Sequence, residues 1–354
     1  MEIMKAVLGL EDGTCVTGEG FGVEGECSGE LVFSTQMGGY MEALTDPSYH
    51  GQILMFTFPT IGNYGVDRDN FQAPIVWALG CVAREICRDP EHLPVLTEYF
   101  EENGLLGIEG VDTRMLTIKT RVQGTLRAAL VVGDDRPEKA VERARTVPPI
   151  SDKELISAVS CKEPYHIPGK GKRIAALDLG MKKNMVVSLR HRDADLHVFP
   201  HTTAPDQVMA CKPDALFISN GPGDPVHARD AIRCVKELAG TIPIFGICMG
   251  NQICGLGLGG ETYKMKFGHR GTNQPVRYKD GSIYITTQNH GFAVATETLP
   301  EGCTMLYSNV NDGTLEGFED PYLEITCVQF HPEAHGGPRD TEIPFFDTMF
   351  RRLA

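Results

Sequence analysis

A two-domain α/β chain is predicted, with a β-rich α+β amino-terminal half and a carboxyl-terminal half built on a mostly parallel sheet flanked by helices. Three observations predict it. The length of 354 residues suits two ordinary cores rather than one. Residues 1–150 carry short β-branched or apolar runs broken by Gly, Pro, Asn and Asp turns, whereas residues 171–354 open with strands and helical segments in alternation. Between them, residues 151–170 hold Pro164, Pro168 and the start of a Gly169-Lys-Gly-Lys-Arg173 turn, which reads as a linker.

In the first half, strands are expected at Lys5 to Leu10, Leu31 to Ser34, Ile53 to Phe58 and Gly124 to Val132, with turns such as Glu11-Asp-Gly13 between them. Helices are expected at Leu93 to Asn103, Thr113 to Val122 and Pro137 to Ala144. In the second half, strands at Ile174 to Leu179, Leu196 to Phe199, Ala215 to Ser219 and Ile242 to Ile247 alternate with helices at Met181 to Arg190, Pro205 to Cys211 and Val226 to Ala239. Such alternation implies a parallel sheet covered on both faces, whose ligands bind at the carboxyl ends of the strands. Beyond Gly260 the pattern turns to short strands and Gly or Asn turns, then a buried strand Leu323 to Phe330 and a closing helix Ile343 to Leu353.

Chemistry concentrates where one apolar run ends. Gly246-Ile-Cys248-Met-Gly250 follows strand-like Ile242-Pro-Ile-Phe and leads into helix-compatible residues. Two glycines flanking one residue suit a nucleophile elbow, where a strand turns sharply into a helix and any side chain would crowd the bend. A helix starting after Cys248 points unpaired N–H groups at the sulfur and favours its thiolate. A cysteine nucleophile needs a base, and the base needs an orienting acceptor. His331-Pro-Glu333 offers both at the end of the Leu323 to Phe330 strand, and His290 is a rival base that lacks an acid two residues away. The backbone N–H of Met249 and one from the Gly221-Pro-Gly223 turn are candidate donors to an oxyanion. Gln252 lies about one helical turn beyond Cys248 and can line the pocket beneath the sulfur.

Three blocks, Ser219-Asn-Gly-Pro-Gly-Asp-Pro225, Phe245-Gly-Ile-Cys-Met-Gly-Asn-Gln252 and Gln329-Phe-His-Pro-Glu333, resemble in content and order the signatures of the class I, triad-type glutamine amidotransferases. More narrowly, the whole chain resembles the small-subunit family of the carbamoyl-phosphate synthetases. The most specific blocks are Met37-Gly-Gly-Tyr-Met-Glu-Ala-Leu-Thr-Asp-Pro-Ser48-Tyr-His-Gly-Gln52 and Gln288-Asn-His-Gly-Phe-Ala-Val294. The resemblance implies an amino-terminal small-subunit domain before an amidotransferase domain. It implies a Cys248, His331 and Glu333 triad, and contacts to L-glutamine from Ser48, Gly221, Gly223, Met249, Gln252, Asn289, Gly291 and Phe292. Asn251 stands where the family usually has histidine, and Met37-Gly38-Gly39 replaces a more common Met-Thr-Gly. Those departures bear on positioning around the helix and on coupling to a partner.

The resemblance also implies a separate large subunit, which uses ATP, Mg and bicarbonate with ammonia delivered from this chain to make carbamoyl phosphate for pyrimidine and arginine synthesis. No phosphate-cradling Gly-Xaa-Xaa-Xaa-Xaa-Gly-Lys-Ser/Thr loop is present, so no cofactor is expected on this chain itself. A glutaminase serving another synthase, a silent scaffold, and a general cysteine hydrolase are the competing readings. Net charge of −14 disfavours nucleic-acid binding, and no apolar stretch or leader pattern suggests a membrane, so a cytoplasmic protein is expected. Eleven cysteines without Cys-Xaa-Xaa-Cys pairs, and eleven histidines without metal-ligand spacing, predict neither a disulfide framework nor a bound metal.

Overall fold

The computed structural model describes residues 4–91 and 94–353, and the chain divides into two compact units, Met1–Lys153 and Glu154–Ala354. The strands of the first are β1 (Lys5–Leu10), β2 (Cys15–Gly22), β3 (Gly25–Ser34), β4 (Gln52–Phe56), β5 (Thr60–Ile61), β6 (Gly80–Val82), β7 (Glu85–Ile86), β8 (Leu106–Glu109) and β9 (Leu126–Val132). All but β5 and β7 close into a barrel in the order β1-β2-β8-β6-β4-β3-β9. Closure removes exposed strand edges, and Leu8, Leu31, Ile53, Met55, Ile108 and Leu130 fill a buried cluster. The helix Pro137–Thr146 lies so close to β1 that a Cβ on Gly9 would sit 2.5 Å from the Ala140 backbone. The expected helix from Leu93 runs Leu96–Glu102, and Leu93 itself lies outside the described residues.

The strands of the second unit are β10 (Tyr165–Ile167), β11 (Arg173–Asp178), β12 (Asp195–Pro200), β13 (Ala215–Ile218), β14 (Ile244–Ile247), β15 (Thr262–Tyr278), β16 (Ile283–Val294), β17 (Thr304–Asn309), β18 (Leu315–Asp320) and β19 (Ile325–Val328). They form one sheet in the order β10-β12-β11-β13-β14-β19-β18-β17-β15-β16. Neighbours from β12 to β19 run parallel, and β10 and the strands beyond β19 pair antiparallel. Residues 154–170 are more than connecting chain, because they carry a helical turn, Ile156–Val159, and the edge strand β10. Both sheet faces are covered, one by a cluster around Leu216, Ile244 and Ile253, the other by one around Phe217, Phe245 and Phe346.

One expectation is corrected after Gly260. In place of short strands and turns, β15 runs 17 residues beside the 12 of β16. Its glycines and asparagine are not chain reversals. The pairing shifts register between Lys264 and His269 and between Gly271 and Gln274, so these residues serve bulges inside a continuous strand. The helix expected from Val226 begins at Arg229, because Asp224 accepts from the Val226 N–H and holds Pro225–His227 as a separate 3₁₀ turn.

A buried polar network fixes this long hairpin. His269 stands opposite His290 in the register, and its Nδ1 meets Glu316 Oε1 at 3.0 Å while Nε2 meets Asp312 Oδ2 at 2.9 Å. Asn309 Nδ2 donates to the same Glu316 oxygen at 3.1 Å. Burial alone would lower the His269 pKa, but hydrogen bonds to Asp312 and Glu316 and their charges outweigh it and raise it to about 9. A folded-state pKa above the usual 6.5 contributes stability that is complete below pH 6.5 and is lost as pH rises through about 9. The contribution is on the order of 3 kcal/mol. Chemical unfolding between pH 6.5 and 9.5 should therefore destabilise the native protein by that much more than His269→Gln. Equal pH slopes for the two would sink the assignment.

Candidate active site

β14 and β19 are parallel neighbours, with Ile247 paired to Val328, so both chains leave the sheet at the same end. Cys248 follows β14 as the cap of the helix Met249–Gly257, at φ 56° and ψ −104°. A non-glycine residue seldom adopts such a conformation, and the surroundings enforce it. A Cβ on Gly246 would come 2.6 Å from the Gly250 carbonyl, and one on Gly250 would come 2.2 Å from Ile218 O. Neither position tolerates a side chain while the strand turns this tightly. The Cys248 N–H donates to Val328 O at 2.8 Å, which ties the elbow to β19. Its Sγ donates to Asn289 O at 3.6 Å on β16.

His331 follows β19 and is tied to the same strand, its N–H donating to Thr287 O at 2.8 Å. Cys248 and His331 are thus anchored two residues apart along β16. His331 Nδ1 lies 2.8 Å from Glu333 Oε1, and both side chains are buried. Glu333 is acceptor-only when ionised, so Nδ1 carries a proton, and in the neutral imidazole Nε2 is the nitrogen with the lone pair. That Nε2 is buried with no hydrogen-bond partner among the described residues.

Lys182, which sequence reasoning missed, is the second partner of Glu333. Its Nζ lies 2.7 Å from Glu333 Oε1, and the ammonium is nearly as buried as the carboxylate. Burial pushes the Glu333 pKa up, but the Lys182 and His331 charges and hydrogen bonds prevail and hold it at about 2. In the sequence, Met181-Lys182-Lys183 resembles a solvated helix start. The one available signal is that Lys182 lies just past β11, at the carboxyl edge where ligands of such sheets bind. His290 is differently placed from His331. Its Nδ1 lies 2.9 Å from Phe292 O and its Nε2 3.1 Å from Gln288 Oε1, while burial foremost drives its pKa well down.

The remaining singled-out residues of the second unit converge on this end of the sheet. A Cβ on Gly221 would meet Leu179 O at 2.4 Å and Met249 Sδ at 3.0 Å, so the turn after β13 packs directly against the first residue of the elbow helix. Gly223 has φ +83°, which favours glycine. Gln252 Nε2 donates to Phe292 O at 2.8 Å and to Gln329 Oε1 at 3.2 Å, joining helix, β16 and the segment after β19. Asn251, in place of the usual histidine, donates from Nδ2 to the same Gln329 oxygen at 3.2 Å. Asn289 and Phe292 are buried on β16, and Gly291 lies between them beside Arg270, whose Nη2 would be 3.0 Å from a Cβ there. Ser48 belongs to the amino-terminal unit and sits in a 3₁₀ turn whose Asp46 carboxylate accepts its N–H at 2.9 Å.

Among the described residues no helix is long and apolar enough to cross a membrane. Residues 175–349 match the class I glutamine amidotransferases, and residues 8–130 match the small-chain domain of carbamoyl-phosphate synthase. The chain is 53% identical to the carbamoyl phosphate synthase small chain of Methanosarcina acetivorans, across 99% of both chains. The corresponding protein of Methanosarcina mazei is also 53% identical, again across 99% of both. That of Methanocaldococcus jannaschii is 47% identical, across 98% of this chain and 99% of its own. A strained cysteine elbow beside a buried histidine and glutamate, in a chain matched end to end by such relatives, places this chain in the carbamoyl phosphate synthase small chain family, with a class I glutamine amidotransferase domain.

Proposed function

We propose that this chain is the glutamine-hydrolysing subunit of a carbamoyl phosphate synthase, and that Cys248, His331 and Glu333 carry the hydrolysis. The Cys248 sulfur attacks the side-chain amide carbon of glutamine, and the carbonyl π pair moves onto oxygen. Backbone N–H groups of Met249 and of the Gly221 to Gly223 turn receive that charge. Their steric closeness suits the task, since a donor of this kind is worth about 3 kcal/mol in the transition state. His331 takes the thiol proton on Nε2 and passes it to the departing nitrogen, so ammonia leaves and a glutamyl thioester remains. Water then attacks the thioester, His331 accepts its proton and returns it to sulfur, and glutamate departs.

The observation that carries this reading is the pairing of a strained Cys248 elbow with a buried His331 whose Nδ1 is committed to Glu333. A base held by one nitrogen offers the other to chemistry. Gln252, Asn289, Gly291 and Phe292 would contact the glutamine. Ammonia would pass to a separate large subunit, where ATP, Mg and bicarbonate complete carbamoyl phosphate for pyrimidine and arginine synthesis.

The reading is tested by glutamate release from the chain combined with a candidate large subunit, ATP and bicarbonate. Cys248→Ala should abolish glutamine-dependent synthesis, leaving synthesis from added ammonia intact. Persisting glutamate release would remove Cys248 as nucleophile, and a partner without effect on the rate would remove the assembly.

A second expectation concerns the buried ion pair. Breaking such a pair by removing one partner costs about 3–5 kcal/mol, whereas removing both charges costs far less. Lys182→Met should therefore be strongly destabilised and should shift the acid limb of the glutaminase pH profile upward, because Glu333 loses its strongest stabilising charge. Lys182→Met/Glu333→Gln should recover most of the stability without recovering the rate. Additive destabilisation in the double variant would show that the two charges do not compensate each other.

A further inference from the structure

At the far edge of the sheet from β16, a second cluster of side chains lies outside the site described above. His166 on β10 is the direct antiparallel partner of His197 on β12, so both project from the same face. Their rings stack with centroids 4.2 Å apart and planes 26° from parallel. Asp195 precedes His197 by two residues and therefore shares that face. Its Oδ1 lies 2.6 Å from His166 Nε2, and its Oδ2 lies 3.3 Å from His197 Nε2.

We propose that His166, His197 and Asp195 form a surface site for a divalent first-row transition ion of the nickel or zinc type. One ligand atom from each residue falls within a span of 4.8 Å. Two ligands on a tetrahedral ion stand about 3.4 Å apart, so small side-chain movements close the set. Two imidazoles and a carboxylate suit borderline ions, and water fills the remaining positions. The imidazoles are open to solvent, with the His166 and His197 side chains 47% and 25% exposed, so an ion can enter directly. Asp195 is 14% exposed and already oriented, since Arg173 Nε holds Oδ2 at 3.1 Å and leaves Oδ1 toward His166. Arg173 is itself anchored on Cys211 O at 2.8 Å, which fixes the guanidinium that orients Asp195. Because β10 is a three-residue edge strand, an ion shared by His166 and His197 would staple that edge to the sheet. The absence of metal-ligand spacing in the sequence does not bear on this set, because strand register rather than spacing brings it together.

Calorimetric titration of Ni(II) into tag-free full-length protein tests the site. One Ni(II) per chain is expected, with affinity falling more than about tenfold in His166→Ala and in His197→Ala. Ni(II) should also slow hydrogen exchange at Tyr165–Ile167 in the native protein and not in His197→Ala. Unchanged glutamate release in both variants would confirm that each is folded. No Ni(II) binding by the native chain, or binding equally tight in both variants, would overturn the proposal, as would a bound ion that leaves β10 exchange unaltered.

Discussion

Everything at the Cys248 end of the sheet depends on a steric exclusion: the chain can turn from β14 into its helix only because positions 246 and 250 have no side chain. Holding Cys248 at positive φ costs on the order of 1–3 kcal/mol, and surrounding structure must supply it. It does so through contacts that reappear in the site. The Cys248 N–H joins β19, its sulfur meets β16, and Gln252 one turn later reaches both β16 and the segment beyond β19. The same bonds that hold the cysteine at its corner tie it to the strand that His331 follows.

The second constraint is electrostatic. A glutamate buried behind a histidine would ordinarily take up a proton, since burial disfavours its charge. A neutral Glu333 could no longer fix the His331 tautomer by accepting at both partners. Lys182 prevents this from the opposite side, and because both act on one oxygen, Oε1, the imidazole and the ammonium are placed together. Buried pairs of this kind add little to stability against an apolar replacement. Their value here is orientation and a fixed charge state.

Much of this was legible in the sequence where the controlling physics is local. The strand Lys5–Leu10 has the boundaries its apolar run suggests, and the Gly-Ile-Cys-Met-Gly corner declares the elbow because glycine placement is a backbone requirement. What stayed hidden depends on pairing across long separations. Barrel closure rests on register such as Ala6 with Val132, and neither β2 nor β8 stands out by its own periodicity. Lys182 looked like a surface residue because its partner lies far along the chain. The glycines of β15 looked like turns because a bulge and a reversal use the same residues.

Register also separates the two histidine pairs on this sheet, although both are cross-strand neighbours. At the β15 and β16 end, His269 and His290 are buried, and Asp312 and Glu316 already occupy both nitrogens of His269. Those carboxylates hold the His269 pKa up near 9 and commit both of its nitrogens. At the β10 end, one carboxylate, held by Arg173, serves two imidazoles that face water. The same residue types on the same pleated surface thus give a closed structural clamp in one place and an open ligand set in the other. What decides between them is the number of carboxylates per imidazole and whether solvent can reach the nitrogen.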